Sequence, residues 1–328
     1  MKNEQRYDER DLAVIQASQH FDANESIFFA RELENVKTKS YDKKFAALTA
    51  TSVIPVSSEV NPGAESITYY QYEPTGMAKI ISNYANDLPR ADVKGTPFTS
   101  IVKGLGSSYG YSVQDIRAAR MAGKPLEQRK ANAARLAIDQ KINKLAYSGD
   151  TANKIVGLFT HPNITVYTLP TDGTLNGVTA GTAAAAKLIN KTPDQVLRDL
   201  NGMVNKVIEL TQGVESPDTL LLPPAVYGDL ATRRVGDTET TILKFFLETS
   251  PYIKTAMPVP ECVGAGTGDT DLIMMLNRDP DKLTLEIPQP FEQFPPQAKG
   301  LEFEIPCHAR LGGVIIYYPL SLIKASGI

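Results

Sequence analysis

A chain of 328 residues, 42% hydrophobic and 22% charged, can bury one large or two ordinary cores and is too apolar for a disordered protein. Its net charge of −3 argues against the basic domain that tight nucleic-acid binding needs. The two cysteines, Cys262 and Cys307, offer neither a disulfide framework nor metal-ligand spacing, which points to a reducing compartment.

The N-terminus, Met1-Lys2-Asn3-Glu4, lacks a signal-peptide pattern, and no apolar run reaches the roughly 18 residues of a membrane span. The expectation is a protein made and kept in the cytosol unless something carries it elsewhere. Up to about residue 50 the charges are mixed, and Leu12, Ile15, Phe21, Ile27, Phe28 and Leu33 are spaced for one or two short helices. From Thr49 to Gly63, Ser, Thr, Val and Pro predict an extended connector. Residues 66–73, rich in β-branched and aromatic side chains, predict a strand that Met77–Ile81 could continue. The return arm is expected at Phe98–Val102, after a long polar turn holding Asp87, Pro89, Arg90, Asp92, Lys94, Gly95 and Pro97. A two-stranded hairpin is marginal alone in water, so it needs a surface, either its own core or a neighbour.

Between Pro125 and Gly149 lie mostly Ala, Leu, Lys, Arg and Gln, framed by a residue that suits a helix start and one that suits its stop. Ala134, Ile138, Ile142 and Leu145 form one apolar stripe along this helix. Residues 165–191 read as a Thr-, Gly- and Ala-rich loop. Thr192, Pro193 and Gln195 then predict a capped helix with an apolar face through Val196, Leu200, Val204 and Val207, closed by Gly213. Strands are expected at 218–223, 271–276, 282–287, 301–305 and 313–318, and helices at 224–234 and 240–249. Helices and strands interleave without regular βαβ repeats, so the class is α+β.

The run Asp115-Ile116-Arg117-Ala118-Ala119-Arg120-Met121-Ala122-Gly123, the long helix, Ser148-Gly149-Asp150, and the tail from Gly157-Leu158 to His161-Pro162-Asn163-Ile164 carry a family likeness. In this order they resemble the major capsid proteins of tailed bacteriophages over about residues 60–328. The resemblance implies a Hong Kong 97-like capsid fold, with an N-terminal arm, an extended β-hairpin loop, a long spine helix and a central α/β domain. It implies segments 1–58 (arm), 59–114 (hairpin loop), 115–164 (peripheral domain with spine), 165–275 (axial domain) and 276–328 (strands returning to the peripheral domain). The implied function is self-assembly, as hexamers and pentamers, into an icosahedral virion shell around double-stranded DNA. Scaffolding, portal and decoration proteins are possible further partners; no membrane and no cofactor is implied. An encapsulin-type shell around protein cargo is the alternative within the fold.

Gly106-Ser107-Ser108-Tyr109-Gly110 spells the Gly-x-Ser-x-Gly nucleophile elbow, with His308 downstream and Asp271 or Asp279 between, in hydrolase order. Against it stand Lys103-Gly104, which interrupt the preceding strand, and the lack of a His-Gly-Gly oxyanion segment. A flexible hinge is the plainer reading, and a serine hydrolase using Ser108 the enzyme alternative. Gly104 to Gly110 and Gly264 to Gly268 lack the Gly-Lys-Ser/Thr ending of a phosphate loop. His20, His161 and His308 are scattered without ligand spacing, and His161 suits a turn. Cys262 and Cys307 suit buried apolar positions better than nucleophilic ones. No catalytic, cofactor or metal residue is therefore assigned. From Asp115 to Tyr147 eight basic residues (Arg117, Arg120, Lys124, Arg129, Lys130, Arg135, Lys141, Lys144) face three acidic ones (Asp115, Glu127, Asp139). That balance describes a solvated helix face, or else a basic patch facing packaged DNA or an acidic partner surface.

Overall fold

In a computed structural model the described residues are 45–80, 90–122 and 126–328. The chain divides into units Met1–Ala46 and Ala47–Ile328, and the elements described belong to the second. The short helices expected before residue 45 lie outside the described residues. The connector expected at Thr49–Gly63 is only partly extended. Its first residues coil into one turn, α1 (Ala50–Val53), because Ala50, Val53 and Ile54 are apolar and bury in the core. A short strand β1 (Val56–Ser57) follows.

The hairpin forms from β2 (Ser66–Thr75) and β3 (Asp92–Ile101), in register from Ser66 opposite Ile101 to Thr75 opposite Asp92. Its return arm starts at Asp92, well before the expected Phe98, so much of the presumed polar turn is strand. Pro97 is tolerated there because its missing N–H would have pointed away from β2. Residues 76–80 do not extend β2, and Ile81 lies outside the described residues. The next ten residues form strand β4 (Lys103–Ser112).

Helix α2 (Val113–Ala122) opens with a reciprocal cap: Ser112 N–H donates to Asp115 Oδ2 at 3.1 Å and Asp115 N–H to Ser112 Oγ at 3.0 Å. The long helix, α3 (Leu126–Ser148), has 23 residues, a rod of about 34 Å. Ala134, Ile138, Ile142 and Leu145 are all buried along it, as the spacing requires. Gly149 ends it at φ +67°, and a Cβ there would come within 2.5 Å of Ile155 O and Gly157 N.

Past β5 (Thr165–Tyr167) and three short turns comes α4 (Pro193–Leu210), with the expected capping box. Thr192 N–H donates to Gln195 Oε1 at 2.8 Å, and Gln195 N–H to Thr192 Oγ1 at 3.4 Å. Then follow β6 (Thr219–Leu222), α5 (Pro224–Thr232), α6 (Ile242–Thr249), β7 (Thr255–Pro258), β8 (Leu272–Leu276) and β9 (Leu283–Glu286). The chain closes with β10 (Gln289–Gln293), β11 (Gln297–Lys299), β12 (Glu302–Leu311), β13 (Gly313–Ile316) and β14 (Ile323–Ser326).

Strands β5-β14-β8-β6-β7 form a mixed five-stranded sheet. Alternate residues of β8 divide between two cores: Leu272, Met274 and Leu276 face the one lined by α3, while Ile273 and Met275 face the one lined by α4. A sheet covered on both faces explains why β6 and β8 read as unbroken apolar runs. Strand β9 lies between β1 and β13 in a smaller sheet. Strand β12 is the spine of a third, with β4 along one side and β10 and β11 in succession along the other.

Candidate functional site

The Gly-x-Ser-x-Gly segment is neither an elbow nor a hinge. Residues 103–112 pair rung for rung with β12, Ser108 opposite Pro306 and Gly106 opposite His308. An elbow needs a sharp strand-to-helix turn at the serine, and Ser108 sits mid-strand. Its hydroxyl bonds the Glu304 carboxylate, which Lys299 and that hydroxyl together hold below the usual carboxylate range. Asp271 Oδ1 accepts from Gly264 N–H at 3.0 Å and Asp279 Oδ1 from Asp281 N–H at 3.0 Å, each shaping its own loop. No triad is assembled.

The remaining candidates resolve into structure. The loop around Gly264 closes on itself, with Gly266 N–H donating to Thr270 C=O at 2.7 Å. His161 Nδ1 accepts from Asn163 N–H at 3.2 Å and shapes the turn. Burial, then the charge of Lys324, holds its imidazole below the usual histidine range. His20 lies outside the described residues. Cys262 and Cys307 are buried, and burial pushes both thiols upward. Among the described residues no three His, Cys, Asp or Glu gather as a metal would require. No helix among them is long and apolar enough to cross a membrane.

The candidates that remain are surfaces. The base of the hairpin sits on its own core: Ser100 Oγ donates to Gly312 C=O at 2.9 Å, and Tyr69 packs edge-on against Tyr317 at 4.9 Å and stacks on Phe98 at 5.4 Å. Burial, then mutual proximity, raises the Tyr69 phenol above its ordinary range. Further out the cover ends. Tyr70 and Tyr72 are 62% and 66% exposed with rings 6.4 Å apart, and Val93 is exposed beside them. The own-core alternative thus holds for the inner half, while the outer half packs on no other element among the described residues.

Two cations of α3 bind locally. Lys130 Nζ donates to Gly110 C=O at 2.6 Å, and Arg135 pairs with Asp139 at 3.8 Å and lies 5.8 Å above the Phe291 ring. Lys141 and Lys144 are exposed. On the opposite face a polar cluster ties α3 to α1: Ala50 N–H donates to Asn143 Oδ1 at 2.8 Å, Asn143 Nδ2 donates to Glu261, and Thr49 Oγ1 reaches both Glu261 and the Tyr147 hydroxyl. Sequence reasoning missed this cluster because its members lie far apart in the chain. It also missed Lys191, fully buried with its ammonium on Asp199 and 3.7 Å from Asp172. The nearest signal was a lysine directly before a helix cap.

The sequence profile described as "Major capsid protein" matches residues 76–328, most of the chain. The chain belongs to the major capsid protein family. The fold agrees. The capsid of Myoviridae phage XM1 superposes with a TM-score of 0.77 at 19% identity, covering 92% of this chain and 99% of that one. A structure from Mycobacterium phage Ogopogo gives 0.61 at 14%, with the same coverages. The capsid of an empty GTA particle gives 0.60 at 12%, covering 93% of this chain and 99% of that one. At such identities the likeness carries the fold, and family membership carries the role. No curated protein matches the sequence. This capsid subunit is a structural protein of the virion and not an enzyme.

Proposed function

We propose that this subunit assembles, as hexamers and pentamers, into a closed icosahedral shell around double-stranded DNA. The observation that carries the reading is the hairpin, seated at its base and bare beyond it. Tyr70, Tyr72 and Val93 leave more apolar surface in water than a two-stranded ribbon tolerates, and a neighbouring subunit covers it. The arm expected over residues 1–58 is held to its own subunit from Ala50 to Ser57, where Ala50 and Val53 of α1 are buried and β1 pairs with β9. Residues 115–164 and 276–328 make the peripheral domain, apart from β14, which lies in the five-stranded sheet of the axial domain at residues 165–275. With a net charge of −3 the subunit holds DNA by weak, non-specific contact, Lys141 and Lys144 being candidates to face it. Scaffolding, portal and decoration proteins are its expected further partners.

Negative-stain images of purified protein test the shell, and nuclease-protected nucleic acid inside it tests the cargo. Uniform closed particles holding DNA are expected. A protein lumen would favour the encapsulin-type alternative, and a protein that stays monomeric under all conditions would refute the reading.

A further inference from the structure

Among the described residues two strand edges are open, and their backbones complement each other. At the end of the β4–β12 ribbon Val113 N–H donates to Leu301 C=O at 3.0 Å. Antiparallel ladders alternate, so the odd-numbered residues of β4 bond β12. Phe294 N–H on Pro306 C=O at 2.9 Å shows the even-numbered residues of β12 facing the other way, as the same alternation requires. The N–H and C=O groups of Gly104, Gly106, Ser108, Gly110 and Ser112 therefore point out of the sheet. Lys130 caps the Gly110 carbonyl and Asp115 the Ser112 N–H. Gly104, Gly106 and Ser108 are exposed, and among the described residues β4 pairs with β12 alone. Exposed edges are ordinarily blunted by charge, proline or a bulge; these three rungs carry none of them.

The hairpin has a matching edge. Val102 N–H donates to Glu65 C=O at 2.9 Å, which sets Ser66, Thr68, Tyr70 and Tyr72 outward on β2, and Gly95, Pro97 and Thr99 outward on β3. Pro97 removes a donor from the middle of the β3 edge. The β2 edge stays intact from Ser66 to Tyr72, and all four outward residues are exposed. Within the hairpin the Tyr72 ring already lies over a cross-strand glycine, a ring carbon 3.0 Å from where a Gly95 Cβ would stand.

We propose that β2 of one copy adds as a strand to the β4 edge of a neighbouring copy, in a proposal that rests on the shell-forming reading above. Backbone rungs from Thr68, Tyr70 and Tyr72 meet those of Gly104, Gly106 and Ser108. Paired residues share a face, so the tyrosine rings fall where Gly106 has no side chain. Aromatic side chains on one edge and glycine on the other set the register.

Gly106→Pro tests the edge without touching the β4–β12 ladder, since position 106 bonds away from β12. The unassembled subunit should melt as the wild type does, while light scattering and negative stain find no closed shells. Gly106→Lys, which leaves the backbone intact and blunts the edge by charge, should do the same. Gly106→Cys combined in turn with Thr68→Cys, Tyr70→Cys or Tyr72→Cys should give covalent multimers on mild oxidation of assembled particles. Wild-type shell yield from both Gly106 variants would overturn the pairing. So would lost assembly with no multimers from any cysteine pair, because another segment would then occupy the edge. A wild-type protein that forms no shells would overturn the underlying shell reading instead.

Discussion

Lys191→Met should be among the most destabilising single changes away from the hairpin. The ammonium is 0% exposed, as is the carboxylate of its partner Asp199. The methionine fills similar volume, so the cost is electrostatic: Asp199 Oδ2 loses its cation in a site closed to water. Breaking a buried pair from one side costs about 3–5 kcal/mol. Here the lower end applies, because Arg198 still donates to Asp199 Oδ1 from Nε at 3.0 Å and from its terminal nitrogen at 2.7 Å. For a unit of this size about 3 kcal/mol lowers the melting temperature by roughly 6 °C. Removing both charges in Lys191→Met/Asp199→Leu should recover most of that loss, to within about 1 kcal/mol of wild type, since apolar replacements of buried pairs are often neutral. The chain has no tryptophan, so far-UV circular dichroism of unassembled subunits is the assay, by heat and by urea. A single variant that loses under about 1 kcal/mol, or a double variant no better than the single, would refute the assignment.

Ile138→Asp places a charge in the buried stripe of α3 at a cost of at least ~2–5 kcal/mol, and no soluble subunit is expected; normal yield would show the stripe is not core. Replacing residues 72–95 with Asn-Gly closes the hairpin after the Gln71–Thr96 rung and keeps its anchored base. That variant should stay folded with near-normal circular dichroism but make no shells, whereas complete shells would remove the outer hairpin from the assembly elements. Arg198 beside Asp172 holds that carboxyl below the usual aspartate range, so the stability it adds is present above about pH 4 and is lost as pH falls through the lower folded value. Asp172→Asn should therefore melt below wild type at pH 7, with the gap narrowing at pH 3, and a constant gap would contradict this. Ser108→Ala should change neither melting temperature nor particle yield, and loss of a measurable esterase activity would reopen the enzyme reading.

What the sequence determined by itself was whatever depends on near neighbours. The Thr192–Gln195 box, the stripe from Ala134 to Leu145 and the apolar runs of β6 and β8 are local patterns, and each formed where its spacing put it. The order of loosely spelled motifs around the long helix was enough to indicate the family. Tertiary structure decided what depends on distant partners. Residues 103–112 look like a glycine hinge because no local feature shows that a strand some 200 residues later, β12, will bond every second rung; the pairing makes them strand and removes the nucleophile elbow. Val53 and Ile54 coil into a turn because α3 offers them a core, and Lys191, just before the cap of α4, is buried because Asp199 inside that helix pairs with its charge. The hairpin needed both levels. β-branched and aromatic residues announced its arms, but only the fold shows that Tyr69 rests on Tyr317 while Tyr70 and Tyr72 face water.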